Sequence, residues 1–90
     1  MLNWPPKDPD EILDYQIDWS DRLGVGDTIQ TSTWTVPVGI TGSLQSAAAQ
    51  TVTIWLAGGT VGKTYQVHNR IISTGGRTMD QTVGIAIRTK

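Results

Sequence analysis

Polar and apolar residues alternate with a period of two through much of the chain. Val52, Ile54 and Leu56 share one side of a segment whose other side carries Thr51, Thr53 and Trp55. Tyr65, Val67, Asn69 and Ile71 repeat the pattern, and Val83, Ile85 and Ile87 repeat it again. That period marks strands that present a different surface on each face. Gly58, Gly59 and Gly62 break the first two runs apart, because glycine alone takes positive φ without a steric cost. Thr51 to Arg77 therefore reads as strand, glycine turn, strand, glycine turn. Thr64–Thr74 and Thr78–Arg88 form a closing hairpin about Thr74-Gly75-Gly76-Arg77.

Upstream the pattern is less regular. Tyr15, Ile17 and Trp19 share a face opposite Gln16 and Asp18, which predicts a strand over about Leu13–Trp19. Ser20–Gly26 has room for one helical turn capped by Ser20 or Asp21, with Leu23 plugging one end of the core. Thr28–Val36 has the β-branched and aromatic composition of a strand. Ile29 is out of phase with Trp34 and Val36, so a bulge is expected near Gln30–Thr33. Pro37–Ala49 reads as a loop or an edge. Met1–Pro9 holds Trp4-Pro5-Pro6 and Asp8-Pro9, which exclude a helix interior and favour an extended chain.

Six to seven short strands at regular spacing predict an all-β fold, a small antiparallel β-sandwich over residues 11–90 preceded by an extended N-terminal arm over residues 1–10. Tyr65 sits just after a glycine turn at the start of the penultimate strand. Immunoglobulin-like domains place there a tyrosine whose hydroxyl bonds back to the loop.

Ninety residues make a single domain with a modest core. Its four tryptophans help, each able to bury roughly 200 Å². The absence of cysteine rules out disulfides and thiolate metal sites. No apolar run reaches the ~20 residues of a membrane helix. The first residues lack the pattern of a secretory signal, so the reading is a chain made and folded in a cytoplasm. Residues 1–27 carry a net charge of −5 and residues 28–90 a net of +4. Either the acidic segment lies on the basic remainder of its own chain or it meets a neighbour. Trp4 on its proline-stiffened arm poses the same choice, and the expectation is that Trp4, Pro5, Pro6, Lys7 and Asp8 contact another chain. Five scattered basic residues in the last two thirds do not make a nucleic-acid footprint.

Little in the chain points to chemistry. Ala57–Thr64 nearly spells a phosphate-binding loop, but that motif needs a helix after the lysine, and Tyr65–Ile72 reads as a strand. His68 is the single histidine, lies opposite in phase to Tyr65 and Val67, and is expected to be solvated. No serine is marked as an activated nucleophile. The acids Asp8–Asp14 lack the spacing and central glycine of a calcium loop. Asp18, Asp27, Asn69 and Arg77 lie in or beside apolar strands, so they are expected to fix loops at the ends of the sandwich. No catalytic, cofactor or metal site is predicted.

Taken together, Lys7-Asp8-Pro9-Asp10, Tyr15-x-Ile17-Asp18-Trp19, Gly26-Asp27-x-Ile29, Trp34-x-Val36, Trp55-Leu56-x-Gly58-Gly59-Thr60-x-Gly62 and Tyr65-x-Val67-x-Asn69-x-Ile71 with Gly76-Arg77 resemble a family of tailed-bacteriophage proteins described as fiber-tail adaptors. The likeness runs from about residue 7 to residue 88. It lies in the order and spacing of the motifs. The resemblance implies an immunoglobulin-like sandwich and a virion structural protein without enzyme activity. It implies assembly in several copies near the tail or head–tail junction, with tail, connector or fiber proteins as partners and neither nucleic acid nor membrane. Two other readings remain at this stage. One is a capsid decoration or head-fiber protein. The other is a carbohydrate-binding module, which requires Trp4 or Trp55 in a shallow groove.

Overall fold

A computed structural model of the chain describes residues 2–90. Among them are seven strands and no helix: β1 Leu2–Asn3, β2 Leu13–Asp18, β3 Ile29–Thr35, β4 Ile40–Ala47, β5 Thr51–Gly58, β6 Thr64–Ser73 and β7 Thr78–Ala86. They form a four-stranded sheet in the order β1-β7-β6-β3 and a three-stranded sheet in the order β2-β5-β4. All pairings are antiparallel except that of β1 with β7.

The alternating runs are the inner faces of these sheets. Val52, Ile54 and Leu56 are fully buried from one sheet, and Val67, Ile71, Val83 and Ile85 from the other. Burial of each such side chain contributes about 1.5–3 kcal/mol before the entropy of ordering it is counted. Trp19 and Leu23 close the core at the end where β2 runs into β3. Gly59 sits at the other end with φ +102, and a Cβ there would stand 2.6 Å from Ile87. Only glycine allows that loop to cross the last apolar residue of the core.

A register shift between Ile29 and Thr31 resolves the phase conflict of β3. Of the two readings of Pro37–Ala49, loop or edge, the structure has the edge: Ile40–Ala47 is an edge strand on β5, and its single buried residue, Ile40, left no alternation to read. Ser20–Gly26 holds a turn rather than a helix. Arg22 and Leu23 both donate to the Trp19 carbonyl, and the Ser20 amide is met by Asp18 Oδ1 at 2.9 Å. The arm does not project. Leu2 and Asn3 lie parallel to β7, opposite Val83 and Gly84, and Lys7 forms a further parallel bridge with Ile87. Met1 lies outside the described residues.

Candidate interaction surface

The β3–β4 and β5–β6 loops meet residues 7–11 and 86–90 at one end of the molecule. Here the acidic motif forms a clasp. The Lys7 amide donates to the Ala86 carbonyl and the Arg88 amide donates to that of Lys7, both at 2.9 Å. The Lys7 side chain is fully buried. Its Nζ donates to the carbonyls of Gly58 (2.7 Å) and Asp8 (2.8 Å). Burial lowers its pKa against the opposing pull of Glu11, Asp8 and Asp10. Asp8 accepts from the backbone amides of Lys90 and Asp10, which hold its carboxyl below the ordinary range. Glu11 Oε1 accepts from the Asp8 amide and pairs with Lys90 Nζ at 2.9 Å. Lys7 and Asp8 were expected to reach another chain. The structure spends their hydrogen bonds within this one, binding residues 7–11 to residues 86–90. Pro5 and Pro6 remain exposed.

Trp4 is half-buried. Its amide donates to the Gly84 carbonyl and its indole Nε1 to the Gln16 carbonyl at 3.0 Å, so it ties the two sheets together along one flank. The ring lies 5.0 Å from Tyr15 and 6.2 Å from Trp34, centroid to centroid. Pro5 and Pro6 keep this segment extended, which lets it follow β7.

At the opposite end Asp27 gathers the β2–β3 and β6–β7 loops. It is buried and accepts from the Gly75 amide (2.8 Å), Thr74 Oγ1 (2.9 Å) and Arg77 Nη1 (2.9 Å). Hydrogen bonding from Ser73, joined by Gly75, Thr74 and Arg77, holds its carboxyl far below the carboxylate range. Arg77 is itself half-exposed and reaches inward to its partner.

Asn69 is fully buried between the sheets. It accepts from Trp19 Nε1 at 3.2 Å and donates to Ser32 Oγ at 2.9 Å and the Thr33 carbonyl. Tyr65 is buried and its hydroxyl accepts the Thr60 amide at 3.0 Å, across the β5–β6 loop. Trp34 lies in the core, where its Nε1 and the hydroxyl of Tyr15 have no hydrogen-bond partner among the described residues.

The outer face of the four-stranded sheet shows what the sequence reading missed. His68 Nδ1 meets Thr82 Oγ1 at 2.9 Å and Nε2 meets Asp80 Oδ1 at 3.0 Å. This is a carboxylate–imidazole–hydroxyl chain rather than a solvated histidine. Arg70 Nε also binds Asp80 at 2.8 Å, and Arg70, followed by His68, lowers the Asp80 pKa to about 2. The row lies on an open sheet face, and Arg70 takes up the carboxylate charge that would otherwise orient the imidazole as a base. The observed register sets Arg70 opposite Asp80 and His68 opposite Thr82; a symmetric turn at Thr74–Arg77 would have set Arg70 opposite Gln81 instead, so the sequence alone did not give the pair.

Two concavities mark the surface. One of about 210 Å³ is lined by Ser32, Gln45, Ser46 and Ala47, between the edges of β3 and β4. The other, of about 400 Å³, lies over the Asp27 loops and is open and shallow. Neither is lined by tryptophan, and Trp55 stands half-buried on the outer face of β5 between Asp14 and Ser43. Lys63 is followed by β6, so no helix N-terminus faces the Ala57–Thr64 loop. Among the described residues, no group of three or more His, Asp or Glu is placed to hold a metal ion.

Compared with known proteins, the chain matches the family model described as podophage GP4 fiber-tail adaptor protein gp77 over residues 7–86. No curated protein matches it.

Proposed function

Because the chain belongs to the podophage fiber-tail adaptor family, we propose that it is a non-enzymatic structural part of the virion, joining tail or connector components to fibers or to neighbouring subunits. The observation that carries this reading is the extent of the match, which takes in every element from the Lys7 clasp through β7. The fate of the polar residues supports it. Lys7, Asp8, Asp27, Asn69 and Tyr65 all serve to hold loops and ends together. An adaptor needs that rigidity, because it passes position from one partner to the next.

An immunoglobulin-like fold belongs to the same proposal. Labelling β1 to β7 in chain order as A to G, one sheet is B-E-D and the other G-F-C, the division of immunoglobulin domains, with A beside G. Tyr65 at the start of β6 bonds back to its loop, as the tyrosine of such domains does.

The test is a phage carrying a disrupted copy of this gene. Particles should form packaged heads but lack fibers or complete tails by electron microscopy, and the protein supplied in trans should restore them. Complete, infectious particles without the protein would end the adaptor reading.

A further inference from the structure

Among the described residues the two sheets present four edge strands, β1 and β3 in one and β2 and β4 in the other. An edge strand offers a row of unpaired backbone N–H and C=O groups, and folded proteins guard such rows with shortness, charge, proline or bulges. Three of these edges are guarded. β1 is two residues long. β2 carries exposed Asp14 and Asp18 on either side of Gln16, so two β2 edges paired antiparallel about Gln16 would set like charges against each other. β4 is broken by a register shift between Ser43 and Ser46, with Leu44 in the left-handed region at φ 49.

β3 has no such guard over Thr31–Thr35. Its register with β6 is continuous there, and the stretch holds neither charge nor proline. The whole span from Thr28 to Gly62 has no charged residue. The start of the strand is covered, because the Ile29 amide donates to the Ala49 carbonyl at 2.8 Å. The open part begins beyond that bond and exposes Thr31, Thr33 and Thr35.

We propose that β3 is a self-pairing edge. Two copies of this chain join antiparallel through Thr31–Thr35 about a twofold axis, merging their four-stranded sheets into one of eight strands. The occupant follows from what the edge presents. A row of free backbone groups is satisfied by another strand. The lack of charge selects no partner of opposite sign. The threonine row matches itself: centred on Thr33, each Thr31 faces a Thr35, and cross-strand threonine pairs pack and hydrogen-bond well. The acidic β2 edge lies on the other flank, where Trp4 binds the Gln16 carbonyl, and stays clear of the contact. The proposal is independent of the adaptor role.

The test uses the full chain over a dilution series in sedimentation equilibrium, with amide hydrogen exchange read at low and high concentration. A monomer–dimer equilibrium is expected, with added protection at Thr31–Thr35 as concentration rises. Thr33→Lys places two ammonium groups face to face at the axis and should weaken the dimer about tenfold or more. It should leave the fold unchanged by circular dichroism, because Thr33 is exposed. Asp14→Lys should leave the dimer unchanged. A chain that stays monomeric throughout overturns the proposal. So does a dimer indifferent to Thr33→Lys, one lost on Asp14→Lys, or protection gained elsewhere than β3.

Discussion

Asp27 links two loops through one carboxylate, and its titration exposes that role. The ordinary value is 3.8 and the folded value lies far below it. As pH falls, the unfolded chain therefore takes up the proton first. The stabilisation is fully present above 3.8 and is lost as pH drops through the folded value. Asp80, held at about 2, acts in the same sense. Asp27→Asn keeps one acceptor but gives up the charge-assisted bonds from Arg77 and its neighbours. Its Tm at pH 7 should fall by on the order of 5 °C. Its Tm should also decline less steeply than that of the natural chain between pH 4 and 2. Thermal melts of both proteins across that range check this, and parallel acid limbs would count against it. Asp27 was legible in the sequence because a carboxylate beside apolar strands must be paired. Lys7 was not. Nothing local distinguishes a buried lysine from a solvated one, and its burial depends on the Gly58 carbonyl 51 positions away.

Elements buried on one face were the readable ones. β5 and β6 alternate cleanly because one side of each faces the core. The bulge of β3 followed from a broken phase. β4 could not be read this way, since beyond Ile40 it is mostly exposed and its sequence answers to solvent rather than to packing. N-terminal prolines announced an extended segment, but extension alone does not say what the segment lies against. Only the tertiary pairing with β7 decides that. β4 also supplies a test at this scale. Leu44 holds a left-handed backbone that costs a non-glycine residue about 1–2 kcal/mol, and its side chain is exposed. Leu44→Gly should therefore raise stability by about 0.5–1 kcal/mol, the relief of strain being partly offset by a more flexible unfolded chain. Urea denaturation measures the difference. A destabilised variant would mean that Leu44 packs more than it strains.

On the scale of the whole molecule, the parallel pairing of the first residues with the last strand has a mechanical consequence. Leu2 lies alongside the middle of β7 and the segment from it runs in the same direction, so pulling on Leu2 and on Lys90 loads the two segments in opposite directions. Tension applied between them loads the bonds from Trp4 to Gly84, Lys7 to Ala86 and Arg88 to Lys7 together, in shear. Tension applied between Asp10 and Lys90, which leave from the same end, opens the clasp one bond at a time. Single-molecule pulling should find a higher rupture force for the first pair of handles than for the second, and equal forces would show that the N-terminal strand carries no load. The molecule is then stiff along one axis and yielding along another, and the direction of pull decides whether it holds.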